Sequence, residues 1–204
     1  MSSRETPGIS RREEHARETH EALLAAARSI FATKGYGATS LEDIVARTRL
    51  TKGAFYHHFD SKAALLEAVY TDMERELLAE VTRAATAATG EAWDRLVVAL
   101  DAFLEASAAP AYVQIVLRDA PSVLGVREAR AIDHALGLGL LEELVGQLYR
   151  GRPPPVDLTA AARVLLAAAS EVAVSTAYAE DPARARAEGR VVVLAMMKGL
   201  RAAR

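Results

Sequence analysis

An all-α fold is predicted from three observations. Apolar residues recur at helical spacing almost everywhere, and strand-like alternation shows only at Val191 to Leu194, inside a longer helical pattern. Alanine, the best helix former, fills about one position in five. Aromatic residues are only 5% of the 204. With 51% hydrophobic and 25% charged residues, the chain can bury a core and is not a disordered tail. Having no cysteine, it excludes disulfides, Cys-based zinc sites and thiol nucleophiles.

The elements follow in order. His20, Leu23, Leu24, Ala27, Ile30 and Phe31 share one face of a first helix of about five turns, and Gly35 after Lys34 is its stop. Ser40 caps a second helix, with an acid three positions on and Leu41, Ile44 and Val45 as its buried stripe. Arg49-Leu50 forms a short break. Thr51 then caps Lys52 to Phe59, with Phe55 and Phe59 one turn apart and facing inward. Asp60-Ser61 opens a longer helix carrying Leu65, Leu66, Val69, Met73 and Leu77. Beyond Gly90, helices are expected over 91–108, 112–119, 123–149, 158–179 and 182–203, with breaks at Pro110, Pro121, Gly151 to Pro155 and Asp181-Pro182.

The start of the chain has no apolar run of seven, so neither a secretory signal nor an anchor is expected. The longest apolar stretch, 164–179, carries Glu171 and falls short of the roughly 20 residues that span a bilayer. A cytoplasmic chain without membrane contact is the expectation.

Two short helices, Ser40 to Thr48 and Lys52 to Phe59, joined by a tight turn, have the dimensions of a helix-turn-helix. Leu50, Phe55 and Phe59 would lock the second helix to its scaffold. Its first turn offers Lys52 and the small Gly53 and Ala54, followed by Tyr56, His57 and His58. Small residues allow the backbone close to a groove, and donors suit phosphates. Thr39, Ser40 and Lys62, at neighbouring helix starts, are further candidate phosphate donors. The net charge of -2 offers no broad basic surface. Residues 1–60 hold 9 basic against 8 acidic side chains (+1), the remainder 16 against 19 (-3), so any DNA affinity must come from a few well-placed contacts.

The run from Ala26 to Leu66 resembles the DNA-binding domain of the TetR family of transcriptional regulators. The matching points are Phe31-x-x-x-Gly35-Tyr36, Thr39-Ser40, Ile44-Val45-Ala46, Lys52-Gly53, Tyr56-His57-His58-Phe59, Ser61-Lys62 and Leu65-Leu66. Departures are Phe55, where the family more often has Leu, and Arg49, where many members have Gly or another small residue. The resemblance implies a three-helix helix-turn-helix domain plus a larger helical domain for ligand binding and dimerisation, about nine helices in all. Residues 1–14 are then expected as a disordered arm, 15–62 as the DNA-binding domain, and 63–204 as the effector-binding and dimerisation domain. In the arm, Arg4, Arg11, Arg12 and Arg17 are diluted by Glu5, Glu13, Glu14 and Glu18. The part before Arg11 reads as a solvated tail, and Arg11, Arg12 and Arg17 stay open between tail and minor-groove contact. DNA contacts are expected from Thr39, Ser40, Thr51, Lys52, Gly53, Ala54, Tyr56, His57 and Lys62. The family further implies a homodimeric repressor on a double-stranded, palindromic operator, released by a small-molecule effector whose identity the sequence does not supply.

Candidates for the effector pocket are Trp93, Phe103, Tyr112, Gln114, Leu117, His134, Tyr149 and Tyr178, each also readable as core. A stripe of small residues points to a dimer surface of Leu165, Ala169, Val172, Ala173, Val191, Leu194, Ala195 and Leu200, or alternatively to an internal helix contact. No metal, cofactor or catalysis is expected. His57 and His58 point about 100° apart on a helix without a third ligand at i+3 or i+4. Gly137-x-Gly139 lacks a preceding strand, and Asp133 and His134 are helix neighbours without a nucleophile motif.

Overall fold

Caps and stops written into the sequence set the first helices. The computed structural model describes residues 11–202, and the regular structure of these residues is entirely helical. Helix α1 (Arg11–Lys34) buries Leu23, Ala26, Ala27, Ile30 and Phe31. It ends at Gly35, whose φ of 77° favours a residue without Cβ. Its start corrects the expected arm: residues 11–14 form its first turn, where Glu13 and Glu14 suit the positive end of the helix dipole. The rest of the arm, Arg4 included, lies outside the described residues.

Helix α2 (Leu41–Thr48) begins with a full capping box. Ser40 Oγ accepts from the Asp43 amide at 3.1 Å, and Asp43 accepts from the Ser40 amide at 3.1 Å. It ends at Arg49, whose φ of 57° and ψ of 24° place it in the left-handed region. An L-residue there costs on the order of 1 kcal/mol, and Arg49 is the one non-glycine with positive φ among the described residues. Helix α3 (Lys52–Tyr56) is shorter than expected. Thr51 Oγ1 accepts from the Ala54 amide at 3.1 Å, and the helix closes at His57. Helix α4 (Lys62–Ala87) is capped by Ser61, whose Oγ accepts from the Ala64 amide at 3.0 Å. Phe31, Ile44, Phe55, Leu65 and Leu66 are fully buried. The chain divides into two units after Val69, inside α4, rather than after Lys62.

The second unit holds the rest of α4 and α5 (Ala92–Ala106), α6 (Pro110–Leu124), α7 (Val126–Gln147), α8 (Leu158–Tyr178) and α9 (Pro182–Ala202). The break expected at Pro121 does not occur. Residues Val113–Asp119 of α6 form a π-helix, and the Ala120 amide reaches back five residues to the Ile115 carbonyl. In an α-helix Pro121 would clash with the carbonyl four residues earlier; the wider π turn before it gives room. The helix stops instead at Gly125, φ 91°.

Helix α8 has 21 residues and is long and apolar enough to cross a membrane, longer than the apolar stretch read from sequence. Here it packs against α7 and α9 and buries Ala161, Ala162, Leu165, Val172, Ala173 and Thr176. This corrects half of the expected dimer surface. Leu165, Val172 and Ala173 are buried within the chain and Ala169 is half-buried, because the small-residue stripe is where α9 approaches: a Cβ on Gly189 would stand 2.6 Å from Val172 Cγ1. Leu194 and Leu200 are half-buried, whereas Val191 and Ala195 remain exposed. Val164 (56%), Val191 (64%), Val192 (60%) and Met196 (37%) are the large apolar side chains that these two helices show to solvent, apart from Tyr178 at the end of α8.

Gly189→Ala is expected to cost about 1–3 kcal/mol in urea unfolding despite alanine's better propensity, because a branched valine must move. Gly139→Ala, with nothing within 4 Å of its added Cβ, should stabilise by about 0.5–1 kcal/mol. Equal effects at the two sites would refute the close α8–α9 approach.

Candidate nucleic-acid interface and ligand cavity

Helix α3 has two faces of opposite character. Phe55 is completely buried; Phe59, just beyond the helix, is also buried and stacks on His20 with ring centroids 4.7 Å apart. Thr51, Lys52, Gly53, Tyr56 and His57 are exposed, as is Ser40 at the start of α2; Ala54 is half-buried. Ser40 and Thr51 use their oxygens as acceptors for helix amides, which leaves each hydroxyl proton to donate outward. Lys52 forms an ion pair with Glu42 of α2 that holds the Glu42 carboxyl below the usual carboxylate range. His58 is half-buried, and burial together with nearby His20 and His57 pushes its pKa down.

Gly53 is informative because nothing inside the chain requires it. Its φ is ordinary, and an added Cβ would meet only Thr51 Oγ1 at 3.8 Å. A glycine in a helix costs about 1 kcal/mol relative to alanine.

Two expected DNA contacts are turned inward. Thr39 is buried, and its Oγ1 donates to the Gly35 carbonyl at 2.7 Å. Lys62 Nζ donates to the carbonyls of Tyr36 at 2.9 Å and Thr39 at 2.7 Å, and lies 4.0 Å from the Tyr36 ring centroid. Its ammonium closes the α1–α2 turn, donating to the Thr39 carbonyl and joining the Thr39 amide, at 3.2 Å, on that of Tyr36.

The second unit holds a partly open cavity of about 110 Å³ between α4, α5, α6, α7, α8 and α9. Leucine is the commonest residue of its wall, which also holds Phe103, Tyr112, Ser170, Glu74 and Asp133. Tyr112 Oη donates to Glu74 Oε1 at 2.5 Å, and Tyr70 Oη donates to Asp133 Oδ1 at 2.5 Å. Burial, then the charge of Asp133, raises the Glu74 pKa to about 7 against the opposing bond from Tyr112. Burial likewise raises Asp133, opposed by the Tyr70 bond and by His134 and Arg130.

Of the residues expected in this pocket, Phe103 and Tyr112 line it and the others do not. Trp93 lies under the Arg201 guanidinium, Tyr149 donates to the Leu200 carbonyl at 2.6 Å, and Tyr178 is exposed beside Arg118. Gln114 bonds Asp119 within α6, and Leu117 and His134 are half-buried away from the wall. The rings of Trp93, Tyr149 and Tyr178 pack elsewhere, and leucines supply much of the wall. Glu74 was missed, yet a signal existed: it sits four residues after Tyr70 and three before Leu77, a carboxyl on the apolar stripe of α4.

Two family models match the chain. Residues 93–200 match the tetracyclin repressor-like C-terminal domain, and residues 23–69 match the bacterial regulatory proteins of the tetR family. The chain belongs to the TetR family. A TetR-family transcriptional regulator from Pectobacterium atrosepticum is 30% identical, with 94% of this chain and 97% of that one covered and a TM-score of 0.78. The Transposon Tn10 TetC protein of Escherichia coli is 45% identical over 58 residues, 28% of this chain and 29% of that protein. The HTH-type transcriptional regulator UidR of Escherichia coli strain K12 is 40% identical over 63 residues, 30% of this chain and 32% of UidR. The match thus spans about a third or less of these curated relatives. RolR in complex with resorcinol shares the fold at 16% identity, with 91% and 89% covered and a TM-score of 0.70. As a TetR-family transcriptional regulator, the chain carries a helix-turn-helix for DNA at its N-terminal end and a helical C-terminal domain.

In this TetR-family chain Lys62→Met keeps the stem but removes two charge-assisted hydrogen bonds to carbonyls, so it should lower urea-unfolding stability by about 1–3 kcal/mol. A neutral effect would return Lys62 to the pool of free DNA contacts. For Glu74, the folded pKa lies above the ordinary 4.5, so the native state holds the proton more tightly. The stability it contributes is full below about pH 4.5 and is lost as pH rises through about 7, on the order of 3 kcal/mol in all. Glu74→Gln should therefore flatten the decline in stability from pH 5 to 8; parallel curves for the two proteins would contradict the buried carboxyl.

Proposed function

We propose that this TetR-family chain is a repressor that binds a palindromic operator as a homodimer and leaves it when a small molecule fills the cavity of the second unit. The observation that carries the DNA half is α3: with Phe55 fixed inside, its Lys52, Gly53, Tyr56 and His57 face solvent. The contact set is Ser40, Thr51, Lys52, Gly53, Ala54, Tyr56 and His57, with Thr39 and Lys62 as positioning residues. Gly53 acts by absence of a side chain, letting the α3 backbone approach the groove. Lys52 exchanges its partner Glu42 for a phosphate, so binding is salt-sensitive.

Dimerisation is assigned to the exposed face of α8 and α9, with Val164, Val191, Val192, Ala195 and Met196. Twofold symmetry then places two copies of α3 on half-sites about 34–36 Å apart or a multiple of it. Residues 11–69 form the DNA-reading part, and residues 70–202 hold the effector and the dimer contact. The effector works by favouring the conformation that does not fit DNA; a ligand with equal affinity for both would change nothing. That RolR is solved with resorcinol supports a small organic effector for this fold. No catalytic role is assigned, and the site of action is the cytoplasm.

Footprinting on the DNA upstream of the chain's own gene should show a protected palindrome at low salt; its absence on every genomic fragment would sink the regulator reading. Gly53→Ala should leave the fold intact or more stable by up to about 1 kcal/mol, while operator affinity falls about tenfold, or 1.4 kcal/mol. Unchanged affinity would remove the start of α3 from the interface.

A further inference from the structure

Two carboxyl groups on the wall of a leucine-lined cavity demand an explanation, because an unpaired carboxylate is costly in an apolar site. Glu74 is 8% exposed, and its side chain accepts one hydrogen bond among the described residues, from Tyr112 to Oε1. Oε2 is left without a protein donor, on a residue that lines the cavity. Asp133 lines the same cavity and is oriented by Tyr70. Among the described residues neither acid forms an ion pair. The basic groups that act on Asp133, Arg130 and His134, belong to its own helix and do not line the cavity.

Taking the cavity as the effector site proposed above, we infer that its ligand is a small organic cation: an ammonium group on an aromatic or branched hydrocarbon body, with the charged nitrogen against Glu74 and Asp133. A neutral hydroxyl would satisfy one oxygen but leave the mutual repulsion of the two acids intact. A positive charge relieves both at once. The hydrocarbon body suits the leucine wall. At about 110 Å³ the space is smaller than the ~150 Å³ cavity known to admit benzene, so the body is no larger than one ring and a one-ring amine extends into the cavity's open side.

Occupancy is linked to a proton. Glu74 sits at about 7 when the cavity is empty, so a cation must meet an ionised carboxylate, and binding strengthens from pH 6 to 8. The titratable groups on the wall are Glu74, Asp133 and Tyr112. Tyr70, Arg130 and His134 act on Asp133, and burial keeps both tyrosine hydroxyls neutral in this range.

The test is calorimetric titration of the full chain with benzylamine, protonated throughout this range, and with benzyl alcohol, its neutral counterpart of similar shape. Benzylamine should bind at least about tenfold tighter at pH 8, as expected when a hydrogen bond gains a charge. Its affinity should fall several-fold at pH 6, while benzyl alcohol stays level. Glu74→Gln should abolish the preference and the pH dependence while benzyl alcohol changes by less than about twofold. Asp133→Asn should weaken the preference and serves as the second variant if Glu74→Gln does not fold. Equal binding of the two probes, or a preference that survives both variants, overturns the inference and leaves the cavity as effector site. Failure of both probes to bind overturns both readings.

Discussion

Five residues cannot sustain a helix in water, since nucleation fixes several dihedrals for each early hydrogen bond. Helix α3 therefore exists only while Phe55 stays buried; the Phe59 ring lies 6.0 Å from it, and Phe31 of α1, Ile44 of α2, and Leu65 and Leu66 of α4 are likewise fully buried in the first unit. Thr51 and Ser61 cap the helices on either side of that contact. Lys62 holds the carbonyls of the preceding turn. Of the residues proposed to face DNA, Ser40 and Thr51 also cap helices, while Lys52, Gly53, Tyr56 and His57 lie exposed outside the core.

The second unit reverses this arrangement. Its apolar helix α8 packs against both α7 and α9. What the unit keeps costly is polar: Glu74 and Asp133 on a leucine wall, each steadied by a tyrosine. A cavity with a carboxyl in it is a worse core than leucine alone, a sacrifice of stability of the kind proteins make at binding sites.

Local signals were legible in the sequence and distant partnerships were not. The caps Ser40, Thr51 and Ser61, the stop at Gly35 and the inward Phe55 all depend on residues within one turn, so spacing alone identifies them. Lys62 reads as a free donor until its partner at Tyr36, 26 positions earlier, is known. The small residues of α8 announce a close approach without naming the approaching helix, which is α9 at Gly189. Phe103 and Tyr112 were found in the pocket, but Trp93, Tyr149 and Tyr178 were drawn off by arginines or a distant carbonyl. Pro121 signals a break by its chemistry, and the π turn that spares the helix has no comparable mark in the sequence.

That π turn also bears on how the chain can vary in length. Each π turn holds one residue more than an α turn, so the stretch from Val113 to Asp119 is a place where an extra residue can be accommodated without unwinding α6. Losing one residue inside α8 would rotate everything beyond it by about 100° and carry its buried stripe away from α9. Losing one here lets the coil tighten to ordinary α geometry. Gaps between related chains should therefore collect in this segment, directly after Tyr112, and a register shift there would reach the cavity through a single tyrosine.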